Sequence, residues 1–346
     1  MLDIWDYLGN TNKNIIIYGM GNGADKIIHE LERLHITFHG ITASDDFVRG
    51  QTFHGFTVKK ISEFDKNNSV ILTAFGSQRD DVIKHILSLS KEYTILSPDV
   101  PVYGNNIFNT QFYENHKNEL QKLHDILADD FSKKVLENEI KFKLTGKINY
   151  LTEIFTDKDE IFKILNLSEN ESYLDLGAYR GDTIQEFLHY TNGHYRHITA
   201  LEPDNKTYKK LKDYAGNFPN TQLWNMGIWD CDGYVNFENA TGRGSSVKTS
   251  GSQRLAVTKI DTLFKRHSVS YIKTDVEGAE MQALKGGIET LMRDKPKLNL
   301  ALYHRSEDIF TLPLLVHEIN PHYQLYLRQH PHIPAWDLNL YGIHNS

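Results

Sequence analysis

The chain reads as an α/β protein with two parallel-sheet domains joined by a helical connector. Three observations predict this. Short β-rich apolar runs alternate with segments of helical period in two separate series, the pattern of parallel sheets covered by helices. Each series opens on a glycine-rich turn between a strand and a helix. The length of 346 residues suggests about two domains at roughly 150 residues each.

In chain order, the first series places a strand at 15–18 and a helix at 24–34 with Ile27, Ile28, Leu31 and Leu34 inward, then a strand near 36–42. A strand at 70–74, a helix at 80–90 with Val82, Ile83, Ile86 and Leu87 on one side, and a strand at 93–96 follow. Pro98 and Pro101 close this domain, assigned to residues 1–104. In the connector, 105–170, Leu120, Leu123, Ile126, Leu127, Phe131, Val135 and Leu136 recur at helical spacing, which marks a buried helical face. The second series, 171–346, has strands at 172–176, 197–201, 221–225, 269–274 and 298–303, with helices at 205–215, 279–292 and 307–319. Extra strands at 234–237 and 255–260 flank a Gly/Ser-rich stretch, 241–252, that reads as a mobile loop. Residues 323–328 and 337–343 are expected to pair antiparallel at one side of the sheet.

Composition excludes several functions. Thirty-eight basic residues against 45 acidic ones leave a charge of -7, so no basic field is available for a nucleic-acid backbone. The single cysteine, Cys231, rules out an internal disulfide framework and fits a reducing compartment, so a cytoplasmic location is expected. The N-terminal segment lacks the basic start and apolar stretch of a secretion signal. No run approaches the roughly 20 apolar residues that cross a bilayer, and no membrane partner is expected.

The chemistry is concentrated in three segments. Asp175-x-Gly177-Ala178-Tyr179-x-Gly181-Asp182-Thr183 ends a strand in a glycine turn that opens a helix. Glycines without Cβ atoms let backbone lie against a ligand, and open α/β sheets bind ligands outside the carboxyl ends of their strands. Glu202-Pro203 follows Gly177 by 25 positions at the end of the next strand, where an acceptor-only carboxylate suits ribose hydroxyls. Lys273-Thr274-Asp275-Val276-Glu277-Gly278-Ala279-Glu280 runs from a strand into a helix and should face the same cleft. The last acid, Glu280, also suits a first helical turn by its charge alone.

Together these segments, with Thr258-Lys259-Ile260-Asp261 and Leu284-Lys285-Gly286-Gly287, resemble the FkbM family of S-adenosylmethionine-dependent methyltransferases over roughly residues 171–342. The resemblance implies a class I methyltransferase fold with a mostly parallel seven-stranded sheet, and O-methylation of a sugar or glycan hydroxyl. It further implies that Asp175, Gly177, Ala178, Tyr179 and Gly181 form the cofactor turn, that Glu202 holds the ribose, and that Met226 and Ile228 flank the adenine. Asp275 and Glu277 complete the expected cofactor set, while Trp229 reads as a packing residue.

The N-terminal turn Gly19-x-Gly21-x-x-Ala24, with Asp45 and Asp46 after the next strand, permits a dinucleotide phosphate at a helix N-terminus. Its extension through Gly50-Gln51-Thr52-Phe53-His54-Gly55 resembles the small Rossmann-like domain of some sugar-modifying acyltransferases. That resemblance implies a nucleotide-sugar ligand. A docking or dimerisation module is the plainer alternative, and a homo-oligomer stays open.

None of the close histidine pairs makes a full ligand set, so no metal site is assigned, although a divalent ion held by Asp275 stays open. His304, at the end of the strand after the one bearing Asp275, is the expected general base with Asp275 as its orienting partner. Arg243 in the Gly/Ser-rich stretch is the favoured substrate contact. Trp224, Arg328, His330, His332 and Trp336 are further contributors, each more readily explained as structural. An NAD-dependent nucleotide-sugar oxidoreductase and a non-catalytic nucleotide-sugar-binding protein are the alternative functions.

Overall fold

The computed structural model describes residues 2–238, 246–247 and 253–344. Helix α1 (Ile4–Asn10) begins at Asp3, whose carboxylate accepts the Trp5 and Asp6 amides. Then come β1 (Asn14–Tyr18), α2 (Asn22–Arg33), β2 (Gly40–Ala43), β3 (Lys59–Lys60), β4 (Ser69–Thr73), α3 (Asp80–Leu89) and β5 (Thr94–Leu96). They form a parallel sheet of order β3-β2-β1-β4-β5. Its central strands are continuous apolar runs because both faces are covered.

The connector supplies α4 (Thr110–Ile126), α5 (Asp130–Thr145) and α6 (Lys158–Leu165). Its apolar stripe is buried as the spacing predicts: Leu120, Leu123, Val135 and Leu136 share a core with Leu298, Phe310 and Leu325 of the second sheet.

The second sheet contains β6 (Ser172–Leu176), β7 (His197–Leu201) and β8 (Thr221–Trp224), with α7 (Asp182–Tyr190) and α8 (Asn205–Ala215) between them. A side sheet of β9 (Gly227–Ile228), β10 (Gly233–Glu238) and β11 (Gln253–Thr258) precedes β12 (Tyr271–Thr274). Helices α9 (Glu280–Lys285) and α10 (Ile288–Asp294), β13 (Lys297–Ala301), α11 (Asp308–Ile319), β14 (Tyr323–Gln329) and β15 (Leu338–His344) complete the chain. The helix expected over 279–292 is thus two helices. At the break, a Cβ on Gly286 would lie 2.2 Å from the Trp229 carbonyl oxygen, so the close backbone approach requires glycine.

The order is β8-β7-β6-β12-β13-β15-β14. The expected mostly parallel sheet is corrected to a mixed one. Pairing is parallel from β8 to β13, whereas β15 is antiparallel to both β13 and β14. The short β14-to-β15 connection reverses the chain, and no covering helix intervenes. The expected antiparallel terminal pair is present.

The two sheets meet through loops. Ser77, after β4, exchanges both backbone hydrogen bonds with Ile333 in the β14–β15 loop. Gly76 packs so tightly there that a Cβ would lie 2.5 Å from the Trp336 ring. No helix among the described residues is long and apolar enough to cross a membrane.

Candidate functional site

Strand β6 ends at Gly177 in a left-handed conformation, φ +82°, where a Cβ would lie 1.9 Å from the Asp275 carbonyl oxygen. Only glycine lets the ends of β6 and β12 meet this closely. Gly181, φ +93°, turns the chain into α7, and a Cβ there would meet the Tyr214 ring at 2.4 Å. Fully buried Asp175 accepts the Thr183 hydroxyl, tying β6 to the first turn of α7. Burial pushes its carboxyl up to about 7, although Thr183 and Lys273 oppose the shift.

Glu202 lies opposite this turn at the end of β7. Its Oε2 accepts the Tyr179 amide at 3.0 Å and its Oε1 the Asp204 amide at 2.8 Å. Each oxygen therefore keeps a lone pair free of those bonds. Burial pushes the carboxyl up to about 7 against the two amides.

A cavity of about 300 Å³ opens at the carboxyl ends of β6, β7 and β12. Gly177, Tyr179, Glu202, Met226, Ile228, Asp275 and Glu277 all line it, so the structure brings these seven predicted residues together. Asp175, Ala178 and Gly181, the other members of the expected cofactor turn, do not line it and shape the turn from within the fold. Gln78 of the first domain lines the opposite side with His332 and Trp336, and Lys158, Glu186 and Asp337 add charge.

Asp275 is held at the cavity edge. Its Oδ2 accepts Lys273 Nζ at 3.3 Å, and Tyr303 Oη stands 3.1 Å from both oxygens. Burial pushes the carboxyl up, but Lys273, His304 and Tyr303 outweigh it and hold it below its usual value.

His304 is not the expected base. It is fully buried and does not line the cavity. Its Nδ1 lies 2.9 Å from Glu280 Oε1, while Nε2 lies 3.4 Å from Asp275 Oδ1 and 3.7 Å from Glu277 Oε2. Burial favours the neutral ring, yet the three acids, Glu280 foremost, push its pKa up to about 10. An imidazolium at neutral pH has no free lone pair with which to take a proton.

Glu280, the last acid of the segment expected to face the cleft, lies instead against His304 and does not line the cavity. It is buried, and its Oε1 also accepts the Val276 amide. An acid in the first turn of a helix carries no sequence signal that separates this inward role from a dipole contact.

His330 also lines the cavity, while the remaining candidates fall elsewhere. Arg328 is buried away from the cavity and pairs with Asp129 at 2.7 Å. Trp224 is exposed, Trp229 lies outside the cavity lining, and Arg243 lies outside the described residues. At the N-terminal glycine turn, a Cβ on Gly23 would lie 2.3 Å from the Ala74 carbonyl oxygen, so this glycine is explained by packing. Lys26, one helical turn on, donates to the Pro101 and Val102 carbonyls.

Residues 175–337 match the family described as Methyltransferase FkbM domain. A methyltransferase FkbM from Methylobacillus flagellatus KT has a crystal structure that covers 96% of this chain and 90% of its own, with a TM-score of 0.72 and 20% identity. At that identity the likeness establishes the fold alone. An rRNA methylase from Streptococcus thermophilus covers 54% of this chain and 95% of its own at 14% identity, with a TM-score of 0.35. That last likeness is too slight to bear on function. No curated protein sequence matches the chain.

Proposed function

Through residues 175–337 the chain belongs to the FkbM methyltransferase family, and from that premise we propose that it transfers a methyl group from S-adenosylmethionine to a sugar or glycan hydroxyl. The observation that carries the donor assignment is Glu202: a buried carboxylate fixed by two backbone amides, lining one cavity with the Cβ-free Gly177. These residues fit the donor. Glu202 offers acceptors to ribose hydroxyls, Met226 and Ile228 offer apolar surface to the base, and Gly177 allows close approach at the strand end.

When bound, S-adenosylmethionine would supply a sulfonium methyl group to a nucleophilic oxygen, the new C–O bond forming as the C–S bond breaks and S-adenosylhomocysteine leaves as the neutral thioether. The chain's part is to hold that oxygen in line, at about 3 to 3.5 Å from the methyl carbon. Asp275, held below its usual pKa, accepts the acceptor hydroxyl's hydrogen bond, orients it and takes its proton as the C–O bond forms, with Tyr303 and Lys273 fixing its own position. Glu277 lines the same cavity as a second carboxylate.

The polar far side supports a polyhydroxylated acceptor. Lys158, Glu186, Asp337 and Asn339 provide donors and acceptors, and Trp336 provides a flat apolar face. The buried indole N–H of Trp336 has no partner among the described residues.

A thermal-shift panel of S-adenosylhomocysteine, NAD and nucleotide sugars tests the reading. S-adenosylhomocysteine should raise the melting temperature, since a ligand that binds only the folded state stabilises it. A shift with NAD alone would overturn the proposal in favour of an oxidoreductase.

A further inference from the structure

Behind the cavity edge, the carboxylates of Asp275, Glu277 and Glu280 converge on one imidazole. One coordinating atom from each of Asp275, Glu280 and His304 lies within 4.8 Å of the other two. His304 is fully buried, and neither of its nitrogens has an aligned hydrogen-bond partner among the described residues. Glu280 Oε2 is buried and unpartnered in the same way. Buried polar atoms in native proteins are nearly always satisfied, so unsatisfied atoms on His304 and Glu280, with one ligand atom of each near Asp275, call for a partner.

We propose that Asp275, Glu280 and His304 form a binding site for a divalent cation of the Mn²⁺ class. The donors are one imidazole nitrogen and two carboxylate groups with no sulfur, a set that suits Mn²⁺ and disfavours thiophilic ions. Asp275 can divide its oxygens between two tasks. Oδ2 is held by Lys273, whereas Oδ1 is the atom nearest His304 Nε2. Glu277, 3.7 Å from the same nitrogen, adds negative charge that offsets Lys273. The ion would replace the proton that otherwise balances these acids on the ring.

The role of the site rests on the methyl-transfer reading, since Asp275 reaches the cavity. A cation there would acidify the acceptor hydroxyl and so ease the loss of its proton, which a protonated His304 cannot accept.

The test is Mn²⁺ titration of the full chain without cofactor, followed by electron paramagnetic resonance of the free ion. One Mn²⁺ per chain is expected, with binding weakened at least about tenfold in Glu280→Gln and in His304→Gln; tenfold corresponds to about 1.4 kcal/mol. Circular dichroism checks that each variant folds. Should both buried variants unfold, Asp275→Asn decides by the same criterion. Failure of the folded wild-type chain to take up Mn²⁺, or unchanged affinity in the folded variants, overturns the site. S-adenosylhomocysteine binding measured in EDTA is read separately, so the ion can fail while the methyl-donor reading stands, and the reverse.

Discussion

Glu202 has two opposed requirements. To hold hydroxyls it must be ionised, yet burial pushes its carboxyl from an ordinary 4.5 up to about 7. The folded chain therefore binds more protons than the unfolded chain between those values, and this group destabilises the unliganded protein as pH rises through that window. Cofactor affinity should run the other way. Calorimetry from about pH 6 to about pH 8 should show tighter S-adenosylhomocysteine binding as Glu202 ionises, and Glu202→Gln should flatten that profile. A wild-type profile that is flat as well would remove Glu202 from the donor site. Such roles were legible in part. Gly177 and Glu202 sit at a fixed spacing that strand-turn-helix geometry imposes, so the sequence displays them. The charge state of His304 depends on Glu280, 24 positions earlier in the chain, and only folding brings the two within 2.9 Å.

Among elements, the turn after β6 is the most constrained. Gly177→Ala would place a Cβ 1.9 Å from the Asp275 carbonyl oxygen in a left-handed conformation. That conformation alone costs about 1 to 2 kcal/mol, and relieving the clash should bring the total loss of stability in a chemical melt to at least about 3 kcal/mol. The connector has its own fixed point. Lys143 of α5 pairs with Asp99 at 2.8 Å, both buried, and Glu139 beside them is pushed up to about 8 by burial. Asp99→Asn should cost about 3 to 5 kcal/mol by leaving the Lys143 charge without its partner, and a urea melt measures it. The helical stripe that buries α4 and α5 was plain in the sequence because its period is local. Strand β3 was invisible, since two exposed lysines, Lys59 and Lys60, carry no strand signal, and their pairing with β2 is set by tertiary contact.

At the scale of the whole molecule, the two sheets share one cavity. The bridge between Ser77 and Ile333 brings Gln78 into the lining of the cavity that Glu202 also lines. Gly76→Ala should strain this junction, because its Cβ would meet Trp336 at 2.5 Å. A lower melting temperature is expected, with S-adenosylhomocysteine affinity within about twofold of wild type, since the strained site is separate from Glu202. A large loss of affinity would show that the junction controls the donor side as well. Alternation along the sequence displayed two α/β series and an antiparallel terminal pair, but neither the docking of the two sheets nor the insertion of β15 between β13 and β14 follows from local pattern. The first depends on loop contacts such as Ser77 with Ile333, the second on a strand ladder to β13 about 40 residues earlier in the chain.

Calorimetric titration of S-adenosylhomocysteine into the wild-type chain and Glu202→Ala, side by side near pH 8, tests the central claim most directly. One molecule per chain should bind the wild type, and the variant should lose about 1 to 3 kcal/mol of affinity through the missing charged acceptor. Equal affinity in the two proteins, or no binding to the wild type, would contradict the account.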